Sequence, residues 1–132
     1  MGENTQPATS FGYTTTTTGM ADATTTVADL KARVRAFSLA RDWDPFHSPK
    51  NLVMALACEV GELIEPFRWL TEAESRDRVV NDAAFREAVA DEMADVACLV
   101  AQVSIHTGID LSDAVAAKMA KNEVKYPAPA RG

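Results

Sequence analysis

Cysteine and histidine are nearly missing from this chain: two of each in 132 residues, Cys58, Cys98, His47 and His106. That scarcity excludes a disulfide-stapled scaffold and any metal centre built from clustered Cys or His at ligand spacing. Both cysteines fall inside apolar helical patterns, so the expectation is two buried free thiols in a reducing compartment. Long apolar runs are missing too, the uninterrupted ones spanning only a few residues against the ~20 of a membrane-crossing helix. No cationic leader followed by an apolar segment opens the chain, and Gln6 stands where a myristoylation signal needs Ser or Thr. The expectation is a cytoplasmic protein with no membrane partner. Positive charge is short as well: 13 Lys and Arg face 19 Asp and Glu, a net charge of -6. Duplex binding by clustered cations is excluded, and polymeric nucleic acid with it.

What is present is material for one domain, 47% apolar and 24% charged. Residues 1–26 hold ten Thr and no Lys or Arg, and nothing there repeats at a period that buries a face. They read as a disordered tail. From Val27 the period is helical. Val27, Leu30, Val34 and Phe37 predict a first helix over 27–40, followed by a polar, aromatic loop through 41–47. Ser48-Pro49 has the form of an N-cap with proline at the first helical position. The second helix carries Leu52, Val53, Leu56, Val60, Leu63, Ile64 and Phe67 and ends near Trp69. A polar connection over 71–82 leads to a third helix over about 83–106, with Phe85, Val89, Met93, Val96, Val100 and Val103 inward. Gly108 is a stop, Asp110 and Asp113 form a capping pair, and Leu111, Val115 and Met119 mark a fourth helix that frays before Pro127. The expected fold is all-α: a four-helix bundle over 27–127 between the Thr-rich tail and a short C-terminal tail, 128–132. Broad apolar stripes on every helix exceed what one small bundle buries, which points to a homo-oligomer.

The informative residues are Glu59 and Glu62 on the second helix and Glu92 and Asp95 on the third. Each pair is spaced i, i+3 and leaves its helix on nearly one face, among apolar neighbours. No Lys or Arg lies between Lys50 and Arg68, nor between Arg86 and Lys118. A solvated acidic face ordinarily carries i, i+4 cations. Four carboxylates brought together without them call for a metal cation. An all-carboxylate donor set favours a hard ion, Mg²⁺, Mn²⁺ or Ca²⁺, over zinc, and the absence of Glu-x-x-His disfavours a di-iron centre. Mg²⁺ in such a site keeps coordination places for phosphates, which points to phosphate chemistry. Glu62 is the expected general base. Lys118 and Lys121 open the first basic cluster after the cation-free stretch and suit a phosphate group. The alternative is a non-catalytic helical interaction module whose acidic face binds a basic partner.

Several segments together resemble the all-α nucleoside triphosphate pyrophosphohydrolases, the MazG-like superfamily, in their dCTP pyrophosphatase branch. They are Arg41-Asp42-Trp43-Asp44-Pro45-Phe46-His47, Glu59-Val60-Gly61-Glu62-Leu63, Phe67-Arg68-Trp69, Asp91-Glu92-Met93-Ala94-Asp95-Val96, and the run from Lys118 through Asn122 and Tyr126 to Pro127. The resemblance covers roughly residues 30–127. It implies Mg²⁺-dependent hydrolysis of a nucleoside triphosphate between the α- and β-phosphates by a homodimer or homotetramer that cleanses the nucleotide pool. Carried over by position, it implies Glu59, Glu62, Glu92 and Asp95 as metal ligands. Trp43, His47 and Trp69 would line the base and sugar pocket, and Lys118, Asn122 and Tyr126 would meet phosphate and sugar. Cys58 stands where many relatives carry an additional Glu. Read without the resemblance, Trp43 in its polar loop favours base stacking over packing. Trp69, His47 and Tyr126 fit structural roles as well as binding ones, and His106 reads as structural.

Overall fold

Five α-helices follow one another, with no strand among the described residues, 19–130 of this computed structural model. Each helix begins at a side chain that closes its first turn. α1, Val27–Leu39, opens on a capping box in which Thr26 Oγ1 accepts from the Asp29 N–H at 3.1 Å and the Thr26 N–H donates back to the Asp29 carboxylate at 2.9 Å. α2, Pro49–Ile64, takes Ser48 as N-cap and Pro49 as first residue. It stops short of Trp69 because Pro66 has no N–H to continue the ladder, and the chain leaves through turns.

The polar connection expected over 71–82 is itself helical. α3, Glu72–Asn81, is held by a second capping box between Thr71 and Glu74 and by an Arg76–Glu72 pair one turn apart at 3.0 Å. The described residues therefore form five α-helices rather than four. α4, Ala83–Thr107, starts on the Asp82 side chain and ends at Gly108, whose φ of 69° is a left-handed conformation that costs glycine nothing. α5, Leu111–Lys125, is capped by Asp110.

α4 is the axis on which α2, α1 and α3 pack. Leu52 of α2 and Phe85 and Ala101 of α4 are buried, and Phe67 meets Phe85 edge-to-face at 5.1 Å. A polar seam crosses the same interior: Gln102 Nε2 donates to Ser38 Oγ on α1 at 2.9 Å. Val53, Met54 and Ile64 of α2, Met93 of α4, and Val115, Met119 and Val124 of α5 remain exposed. Cys58 and Cys98 are free, but both face solvent rather than the interior. Most of the sequence assigned to the tail, residues 1–18, lies outside the described residues, as do 131–132. Residues 19–26 form a turn in which the Thr24 and Thr25 N–H groups donate to Ala21 O, both at 2.9 Å, and it delivers Thr26 to its cap. No helix among the described residues is long and apolar enough to cross a membrane.

Candidate active site

The i, i+3 spacing on α2 and the packing of α2 against α4 bring three carboxylates together. One oxygen each from Glu59, Glu62 and Glu92 lies within 4.8 Å of the others. Asp95 lies outside that trio, near enough for its charge to act on Glu59 and Glu92. Glu59 and Glu92 are half-buried and Glu62 is exposed. Glu59 Oε2 and Glu92 Oε2 are closed off from solvent with no hydrogen-bond partner among the described residues. Desolvation, and after it the neighbouring Glu62 charge, pushes both carboxyls above their ordinary range. The ion pairs among the described residues engage Asp44, Glu65, Glu72 and Asp82, leaving this cluster without a neutralising side chain. Two dehydrated, unpartnered carboxylate oxygens and an all-oxygen donor set fit a hard divalent cation.

Glu59 and Asp95 also form one end of a cavity of about 660 Å³. Its other walls come from α1, through Leu30, Val34 and Phe37, from the loop after α1, through Trp43 and His47, and from α4, through Leu99 and Gln102. The lining thus joins the acids Glu59 and Asp95 to aromatic and aliphatic surface, with Arg33, Ser38, His47 and Gln102 as its other polar members. That combination suits a ligand with an anionic end and a flat apolar end.

The loop that presents Trp43 is built with some care. Asp42 takes φ 53°, the left-handed conformation that Asp tolerates better than most residues, and this turns the chain so that the Trp43 N–H donates back to Ser38 O at 3.1 Å. Phe37 meets Trp43 edge-to-face at 5.6 Å, and the Arg41 guanidinium covers Phe37 at 3.4 Å from the ring centre. A short 3-10 helix, Asp44–Phe46, follows. Arg35 of α1 grips Asp44 with both terminal nitrogens, Nη2 at 2.6 Å from Oδ2, and sets Nη1 3.3 Å from His106 Nε2 on α4. The Arg35 hydrogen bonds hold the Asp44 carboxyl below its ordinary range, while burial and then the Arg35 charge lower His106. Asp44, His47 and His106 have the composition of a metal site. The guanidinium already satisfies Asp44 and lies against His106, so the group works as a latch between helix and loop.

Of the residues singled out in the sequence, Glu59, Glu62 and Glu92 converge, and Asp95, Trp43 and His47 share the cavity with Glu59. Trp69, Lys118, Lys121, Asn122 and Tyr126 do not line it. Trp69 is 82% exposed beside Arg68, and Tyr126 is 66% exposed beside Lys125. α5, which carries Lys118, Lys121 and Asn122, makes no extensive packing contact with another helix. Sequence reasoning passed over Arg35, Ser38 and Gln102. Gln102 had a readable signal, a polar residue set within the apolar stretch from Val96 to Val103.

No protein-family model matches the chain. It is 36% identical over 102 residues to dCTP pyrophosphatase 1 of Rattus norvegicus, covering 77% of this chain and 59% of that protein. With dCTP pyrophosphatase 1 of Homo sapiens the identity is 37% over 103 residues, covering 78% and 60%, and with that of Bos taurus 34% over 118 residues, covering 88% and 69%. The chain thus spans about 60% of the length of the rat and human relatives. Among solved structures, a pyrophosphatase from Archaeoglobus fulgidus superposes with a TM-score of 0.69 at 34% identity, over 76% of this chain and 92% of that one.

Proposed function

This chain belongs to the MazG-like all-α nucleoside triphosphate pyrophosphohydrolases, in their dCTP pyrophosphatase branch, and from that premise we propose that it hydrolyses dCTP or a modified pyrimidine analogue to the monophosphate and pyrophosphate. The observation that carries the reading is the convergence of Glu59, Glu62 and Glu92, one of which, Glu59, also lines a cavity walled by Leu30, Val34, Phe37, Trp43 and Leu99. Glu59, Glu62 and Glu92, with Asp95 beside them, would hold Mg²⁺, for which Mn²⁺ is the natural substitute. Bound there, Mg²⁺ supplies charge neutralisation on the phosphate oxygens during in-line displacement. Glu62 is the most exposed of the three and takes the proton from the attacking water. Trp43 stacks on the base from the cavity wall and His47 borders it.

Trp69, Lys118, Lys121, Asn122 and Tyr126 belong to the same reading through a second copy of the chain. Trp69 and Tyr126 are exposed, and Lys118, Lys121 and Asn122 share α5 with the exposed Val115, Met119 and Val124; a homodimer or homotetramer would bury that surface and bring cations toward a neighbour's triphosphate. The work so described is cleansing of the cytoplasmic nucleotide pool.

Incubation with each common dNTP, with Mg²⁺ or with EDTA, and chromatography of the products test the proposal. Monophosphate and pyrophosphate formed only with metal, fastest from a cytosine nucleotide, is the expected result. Diphosphate and phosphate would overturn the α–β cleavage. No turnover of any nucleotide would turn the acidic face back into a partner-binding surface.

A further inference from the structure

Beyond the carboxylates, the cavity wall holds a polar group whose hydrogen bonding is only half complete. Gln102 follows Asp95 by seven residues, two turns of α4 and about 10.5 Å along its axis, so both share one helix face. That spacing sets the amide about one nucleoside's length from the acidic end. Gln102 is 5% exposed and lines the cavity. Its Nε2 donates across to α1, to Ser38 Oγ at 2.9 Å and to Val34 O at 3.3 Å. The Val34 carbonyl only accepts, so the amide nitrogen must face it. The Ser38 hydroxyl has helix carbonyls to donate to, Arg35 O at 3.1 Å and Val34 O at 3.3 Å, which leaves a lone pair for Gln102. The amide is therefore locked. Its other end, Oε1, is closed off from water and has no partner among the described residues, where a buried amide oxygen ordinarily has one.

We propose that Gln102 is the base-selecting residue: its locked Oε1 accepts from the exocyclic amino group of a cytosine-type ring, admitting an aminopyrimidine and rejecting a ketopyrimidine. The inference rests on the reading that the cavity takes the base of a nucleotide. An entering ring must displace the side chains that close Oε1 off, and its amino N–H then fills the missing bond. A uracil or thymine ring sets a carbonyl oxygen against Oε1. The amide cannot turn its NH₂ toward that ring without pointing Oε1 at Val34 O, so the lock converts an ordinary glutamine into a one-way acceptor. Discrimination by a buried, otherwise unpaired polar group is the strong kind, because the wrong ligand leaves the group unsatisfied.

The test is kcat/KM for dCTP and dUTP, with Mg²⁺, in the full chain and in Gln102→Leu, which keeps the volume and removes the acceptor. The dCTP:dUTP ratio is expected to fall about 10–100-fold, chiefly through KM for dCTP. An unchanged ratio in the folded variant overturns the inference while the pyrophosphohydrolase reading stands. Equal losses on both substrates overturn it too, since they mark a structural role. A wild-type chain that turns over no nucleoside triphosphate overturns both. Gln102→Met carries the test if Gln102→Leu melts early. It keeps an unbranched side chain of similar length and removes the amide acceptor, so a relaxed dCTP:dUTP ratio is expected and an unaltered one counts against the assignment.

Discussion

Glu59 and Glu92 each hold an oxygen closed off from solvent and without a hydrogen-bond partner among the described residues, and both carboxyls are raised by desolvation and by their neighbour Glu62. A raised acid penalises the fold over a defined range. In the unfolded chain these carboxyls ionise around their ordinary 4.5, whereas folded they keep their protons to higher pH. The unfolded state therefore sheds protons first as pH rises, and stability of the metal-free protein falls from about pH 4.5 through the raised values and then levels off. Thermal melts in EDTA across pH 4–8 measure this, and Mg²⁺ is expected to flatten the slope. Glu92→Gln is expected to raise the melting temperature of the metal-free chain at pH 7 and to lower Mg²⁺-dependent turnover more than about 100-fold, since even outer-shell partners of a metal are worth 10–100-fold. These carboxylates were legible in the sequence because their helix segments carry no cation. Arg35 was not, because its partners Asp44 and His106 lie 9 and 71 residues away and only the fold joins them.

Among the helices, those with an apolar stripe were readable and the one without was not. Ser48-Pro49 and Asp110 announced α2 and α5, and Gly108 announced the end of α4. α3 has the sequence Glu-Ala-Glu-Ser-Arg-Asp-Arg-Val-Val-Asn, with too little apolar surface to set a period, and its helicity comes from local bonds at Thr71, Glu74 and Arg76. Thr71→Ala is accordingly expected to cost about 1 kcal/mol in denaturant melts by removing the cap. At the end of α4, Gly108→Ala is expected to cost about 1–2 kcal/mol, although an added Cβ would touch nothing, because the left-handed φ of 69° is the whole obstacle. Gly61 offers the opposite case. It lies inside α2 with open space around the missing Cβ, so Gly61→Ala is expected to raise stability by about 0.5–1 kcal/mol.

Among the described residues few large apolar side chains are buried, while Val53, Met54, Val60 and Ile64 of α2 and Val115, Met119 and Val124 of α5 stay on the surface. On the proposed reading a second copy of the chain covers this surface. Sedimentation equilibrium is expected to give a dimer or tetramer, and the melting temperature is expected to climb with protein concentration, as mass action requires when folding and assembly are linked. Paired Met119→Asp and Val124→Asp changes on α5 are expected to drive the chain toward the monomer and to reduce turnover along with it. The outward stripes were visible in the sequence. What they meet was not, since helical periodicity marks a face without naming the surface that covers it.

The crowded acids of α2 and α4 have one more consequence. If Mg²⁺ binds these acids as proposed, the lifetime of the fold is tied to metal supply: scarcity would slow the chemistry and also raise the fraction of chain that opens. Opened chain is what a protease cuts. On the proposed reading, the same three side chains that handle phosphate would set how long each copy lasts, and the amount of this protein in a cell would follow its free magnesium.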